Sequence, residues 1–199
     1  MKKLIFFVIT CITIFSCSKD SELNRTIFIP DEKNPQLPAY TEWGYNSFGA
    51  MYELTYFLAN QSIIPCKIVY QNDSLRFLMS GVYGNENPRK KMSFIFIFPF
   101  EIIEDYKDLM LLDNKKINLR SDCKTLMITE NNIRTLEISA GELHFKRVQL
   151  LKVDEVDNRA ILSGTFEIKF IGYNLFPENF SDGRFDFGIT NREFSILTD

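Results

Sequence analysis

The stretch Arg159-Ala160-Ile161-Leu162-Ser163-Gly164-Thr165-Phe166-Glu167-Ile168-Lys169-Phe170-Ile171 decides the fold. Phe166, Ile168 and Phe170 share one face of an extended chain, and Glu167 and Lys169 share the other. Side chains alternate across a strand with a period of two. The pattern therefore predicts a strand with one buried and one wet face, as in antiparallel sheets. Phe185 and Phe187 repeat it against Arg184 and Asp186.

Working outward, similar short runs are separated by turn residues, the mark of an all-β domain. Ser47–Tyr52 and Thr55–Ala59 are expected strands. Ile64–Gln71 and Ser74–Ser80 flank Asn72-Asp73, whose chemistry suits a hairpin. Met92–Phe98 follows. Cys123–Thr129 and Ile133–Ser139 flank Asn131-Asn132. Glu142–Val153 and Arg159–Ile171 flank Asp157-Asn158. Arg184–Ile189 and Glu193–Leu197 close the chain. Thr26–Ile29 adds a short candidate. Because such sheets close or stack to hide their edges, we expect an all-β, antiparallel β-sandwich or flattened barrel of about 9–11 strands. Ile102, Ile103, Tyr106, Leu109 and Met110 recur at helical spacing, which predicts one short helix over Ile102–Leu111.

Met92–Phe98 is apolar on both faces: Phe94, Phe96 and Phe98 on one, Ile95 and Ile97 on the other. It reads either as a central strand covered on both sides or as an aggregation hazard, with Arg89-Lys90-Lys91 ahead of it in a gatekeeper role.

The N-terminus carries an address. Lys2 and Lys3 precede the apolar run Leu4–Phe15, which is too short to span a bilayer. A basic start and such a run form a signal peptide. Ser16-Cys17 then resembles the lipobox of bacterial lipoproteins, with residues 1–16 removed and Cys17 lipidated. Two acyl chains on the sulfur and one on the amine would give a stable hold, since a single chain is marginal. The expected partner of this end is a lipid bilayer, at an outer membrane. Residues 17–46 form the anchor, a polar tether and a lead-in punctuated by Pro30, Pro35 and Pro38; residues 47–199 form one β-rich domain.

Loss of residues 1–16 leaves 21 basic against 26 acidic side chains, a net charge of −5. Nucleic-acid binding needs basic patches, so no nucleic-acid partner is expected. In an exported chain Cys66 and Cys123 can form a disulfide; the alternative is two buried thiols.

Reactive constellations are scarce. His144 is the single histidine, and it alternates against Leu143 and Phe145 toward the wetter face. A triad needs a nucleophile, a base and an orienting acid together, and no nucleophile-elbow motif is present. Cys66, Cys123 and His144 lack zinc-site spacing. Asp154, Glu155, Asp157 and Asn158 offer oxygens of the kind calcium takes, but also read as a solvated hairpin tip. Turn chemistry accounts for Asp182-Gly183, and a cross-strand charge pair for Arg184 and Asp186. No catalytic residue, metal or cofactor is expected. Tyr40, Trp43 and Tyr45 lie in the lead-in, where they either pin it to the domain or stack on a sugar.

Two stretches are similar to a family of uncharacterised Bacteroides-type lipoproteins. Leu37-Pro38-Ala39-Tyr40-Thr41-Glu42-Trp43-Gly44-Tyr45-Asn46-Ser47-Phe48-Gly49-Ala50 resembles its opening signature L-P-x-x-T-x-x-G-x-N-T-F-G. Gly141-Glu142-Leu143, Ser163-Gly164-Thr165-Phe166-Glu167 and Asp182-Gly183-Arg184-Phe185-Asp186 resemble its closing pattern. Glu53-Leu54 departs from the Asn-Gly that relatives place in the next turn, which puts that hairpin in question. The resemblance implies an anchored β domain and carries over no catalytic residue. The expected role is a non-catalytic module binding a glycan or a partner protein at the cell envelope. The alternatives are an accessory subunit of an envelope complex, a glycan hydrolase, or a barrel for an apolar ligand.

Overall fold

The computed structural model describes residues 25–60, 64–101, 103–130, 132–153, 156–172 and 175–197. Among them the alternating runs become twelve strands. In chain order these are β1 (Ser47–Tyr52), β2 (Thr55–Ala59), β3 (Cys66–Gln71), β4 (Ser74–Tyr83), β5 (Lys90–Pro99), β6 (Lys116–Asn118), β7 (Lys124–Thr129), β8 (Asn132–Thr135), β9 (Ile138–Val153), β10 (Val156–Ile171), β11 (Pro177–Ile189) and β12 (Phe194–Ile196). They make one sheet, ordered β6-β9-β10-β11-β1-β2-β4-β5-β7-β8, with β3 attached to β4 and β12 to β3. Every pairing is antiparallel except β12 on β3. The sheet curls into a flattened half-barrel.

Phenylalanine fills the interior of the curl. Twelve phenylalanine side chains are fully buried, and they come from β1, β2, β4, β5, β9, β10 and β11. Phe77 on β4 meets Phe145 of β9 at 5.3 Å and Phe185 of β11 at 5.4 Å between ring centroids. Phe94 on β5 meets Phe180 of β11 at 4.8 Å, edge to face. Offset and edge-on packing at such distances is favourable beyond the area buried. The positions that would line a ligand chamber are thus filled by rings in mutual contact.

A 3-10 helix, Tyr106–Leu112, packs against β9 and β10. The expected short helix is present, and it takes the 3-10 form. Tyr106, Leu109 and Leu112 are buried at a spacing of three, which is the 3-10 period, while Met110 and Leu111 are exposed. Asp105 and Asp108 cap the helix start reciprocally. Ile102 lies outside the described residues.

The hairpins follow their turn residues. Asn72 and Asp73 both have positive φ, 51° and 52°, as a type I′ turn requires. The questioned β1–β2 hairpin forms as well, with Glu53 at φ 51°. Its carboxylate accepts from the Asn179 backbone N–H at 2.8 Å, a tertiary bond offsetting a conformation that non-glycine residues disfavour. Asp182-Gly183 is a correction: it forms an irregularity inside β11, where the register shifts against both β10 and β1, and not a turn between strands. Thr26–Ile29 is also corrected, belonging to no strand of the sheet.

Candidate functional site

The lead-in is fastened to the outer face of β11 by one buried carboxylate. Asp186 is 1% exposed. Its Oδ1 accepts from Gly44 N–H at 2.8 Å and Ser163 Oγ at 2.9 Å. Its Oδ2 accepts from Thr41 Oγ1 at 2.5 Å, Trp43 N–H at 3.1 Å and Tyr45 N–H at 3.3 Å. Five donors thus share one carboxylate. Gly44 supplies the turn with φ +72°, a conformation natural to glycine. Asn46 Oδ1 accepts from the Gly188 N–H at 3.0 Å. Nearer the middle of β11, Arg184 pairs with Asp31 of the lead-in at 2.7 Å, and hydrogen bonds from the Asn34 backbone, then Lys33, together with the Arg184 charge, hold the Asp31 carboxyl below its usual range. The cross-strand charge pairing expected to account for Arg184 and Asp186 gives way to these contacts with the lead-in.

The clasp sets the position of a surface hollow. Trp43 contributes its backbone to Asp186 and leaves its ring 70% exposed. Beside it, Tyr40 Oη donates to Glu42 Oε1 at 2.9 Å, and Gln149 Nε2 donates to the Glu42 carbonyl at 2.9 Å. Tyr40, Thr41, Glu42, Trp43 and Gln149 line a hollow of about 490 Å³. Tyr40 also borders a second hollow of about 510 Å³ on the outer face of β9, β10 and β11, with Lys146, Glu142, Glu167 and Arg184. Lys146 Nζ lies 5.2 Å from the Tyr40 ring centroid, a cation–π distance. Burial and the Glu42 carboxylate push the Tyr40 phenol well up, so it serves as a hydrogen-bonding edge and not as a phenolate.

Glu142 and Glu167 face each other across β9 and β10, yet both are exposed, and Glu142 is held by Lys116 at 3.1 Å. Glycosidic acid catalysis places one carboxyl in a dry pocket. Here the polar groups ring an exposed aromatic face instead.

The other candidate residues are dispersed. Cys17 lies outside the described residues, as do Asp154, Glu155 and the side chain of Asp157. The bridge considered for Cys66 and Cys123 is not formed, and both thiols are free. Cys66 is on β3 and Cys123 precedes β7, with β4 and β5 between. Three strand steps of about 4.8 Å are far beyond disulfide reach. Burial, then the Glu193 charge, push the Cys66 thiol well up; burial raises Cys123. Neither is set up as a nucleophile. Among the described residues no group of three or more His, Cys, Asp or Glu is placed to hold a metal.

His144 faces the same outer surface, with Nε2 3.4 Å from Asn114 Oδ1. Partial burial and the charges of Lys116 and Lys146 lower its pKa against an opposing pull from Glu142. An NMR titration of this single imidazole is expected to give a midpoint below the ordinary 6.5. The sign follows: the unfolded chain binds the proton more tightly, so stability falls as pH drops below 6.5. A midpoint at or above 6.5 would refute this arrangement.

Alternation alone makes Asp186 a solvent-facing residue of an amphipathic strand, and Asp31 and Asn46 carry no signal of their own. The available clue is the pair of quoted motifs, because Thr41 and Gly44 of the first bond Asp186 of the second, and Asn46 bonds Gly188 two residues beyond it. No protein-family profile, curated protein or solved structure matches the chain.

Proposed function

We propose that this chain is a cell-envelope lipoprotein, lipidated on Cys17 and held at an outer membrane, whose β domain is a non-catalytic module that binds a glycan at Trp43. The observation that carries the reading is the 70% exposed Trp43 ring on a backbone immobilised by Asp186. A large aromatic face kept in water on rigid backbone is preorganised for an apolar sugar face, and preorganisation lowers the entropic cost of binding. Glu42, Gln149 and Tyr40 supply orienting hydrogen bonds around it.

Trp43 is the only tryptophan, so its fluorescence reports the site directly. Titration with a panel of soluble envelope and host oligosaccharides is expected to shift its emission. Trp43→Ala should weaken binding by about 30-fold, the effect of losing an anchoring aromatic. Its fold should persist, because the clasp uses only the backbone of residue 43. An emission spectrum unmoved across the whole panel sinks the glycan reading.

A protein partner is the second reading, and a different surface favours it. Antiparallel pairing places the β1–β2 turn, the β10–β11 connection and the β7–β8 turn at one end of the half-barrel. That end exposes Leu54 (94%), Leu175 (83%), Phe176 (72%) and Ile133 (67%). Large apolar tips of this kind mark interaction sites.

A further inference from the structure

Three consecutive apolar side chains of the lead-in face solvent: Ile27, Phe28 and Ile29 are 43%, 45% and 40% exposed. The strip is held in place. Ile27 N–H donates to the Tyr45 carbonyl at 2.8 Å, and Ala39 N–H donates to the Ile29 carbonyl at 2.7 Å. Tyr45 is itself bound to Asp186. Solvent-exposed Arg25 precedes the strip.

We propose that this strip seats the domain on the bilayer: Ile27, Phe28 and Ile29 enter the interfacial region of a lipid surface and give the anchored domain one fixed orientation. The inference rests on lipidation of Cys17. What identifies the occupant is chain length. Cys17 and Phe28 are eleven positions apart, so even a fully extended chain keeps them within about 40 Å. A short tether raises the local concentration of a linked group to about the millimolar range. Three half-exposed side chains are too few to hold a protein on a membrane unaided, since even one long acyl chain does so marginally. Held this close by lipid, a weak apolar contact becomes populated. The net charge of −5 after residue 16 offers no general attraction to anionic lipid, so the contact is apolar and needs no acidic headgroup.

The test uses the full-length lipidated protein in phosphatidylcholine vesicles. Trp43→Phe removes the native indole, and Phe28→Trp introduces one in the strip. Lipids brominated on their acyl chains quench only an indole that reaches the interface. The expected result is a loss of about half the emission, consistent with side chains at the headgroup–acyl boundary, and its abolition when Ile27→Ser and Ile29→Ser are added. Protein that floats with the vesicles but stays unquenched overturns the seating and leaves the anchor standing. Protein that does not float, with no lipid mass on Cys17, overturns both.

Discussion

Asp186→Asn is expected to destabilise the domain by about 3 kcal/mol and to release the lead-in. The amide can present only one oxygen. If its nitrogen takes the Oδ1 position, the Gly44 N–H faces a donor; if it takes the Oδ2 position, the Trp43 and Tyr45 N–H groups do. The hydroxyls of Thr41 and Ser163 can turn to accept, but backbone N–H groups cannot. At least one buried donor is orphaned, at roughly 1–3 kcal/mol, and the surviving bonds lose their charge assistance. For a chain of this size the melting temperature should fall by about 6–12 °C. Limited proteolysis should then cut first between residues 30 and 46 while the sheet stays folded. A melting temperature within about 2 °C of the parent would show that the clasp contributes little.

Phe77→Ala is the second large effect, and it should look different. Phe77 is 0% exposed and in ring contact with Phe96, Phe145, Phe185 and Phe187. It joins β4 to β9 and β11 across the interior. Removing it forfeits transfer energy and leaves a cavity among stiff rings that cannot readily close. Such changes cost about 3–5 kcal/mol. Urea unfolding should show an earlier midpoint with an unchanged slope, and no preferential cleavage of the lead-in. Phe77→Leu keeps most of the volume and should cost less than half as much. A full-length Phe77→Ala protein with parental stability would mean that the two walls do not depend on one another.

These contrasting variants also show how far the sequence could be read. The interior was legible because it is written at period two. β1 and β2 coincide with Ser47–Tyr52 and Thr55–Ala59, and the Asn72-Asp73 turn stands where its chemistry placed it. β6 was not legible: Ile117 is a lone apolar residue between Lys116 and Asn118, too short for any periodicity. The short helix is legible from its apolar spacing, but its 3-10 form is not, because spacings of three and four are hard to separate over two turns. The clasp was least legible. Alternation assigns Asp186 to the outer face of β11 correctly, but whether an outer face is wet depends on what covers it. That cover is the lead-in, brought there from 141 to 145 positions earlier in the chain. Trp43 was recognised as pinning or platform; the structure divides the roles, with its backbone pinned and its ring exposed.

The clasp bears on the timing of folding. β11 is the partner of β1 as well as the site of Asp186, so the earliest structured residues have nothing to fasten to until nearly the last have emerged. Pairings this distant in sequence are slow, because loop closure must precede any reward. A chain emerging from its N-terminus therefore remains an open, phenylalanine-rich sheet until residues 177–189 have been made. The interval before that final strand arrives is when the nascent protein is most exposed to misassembly.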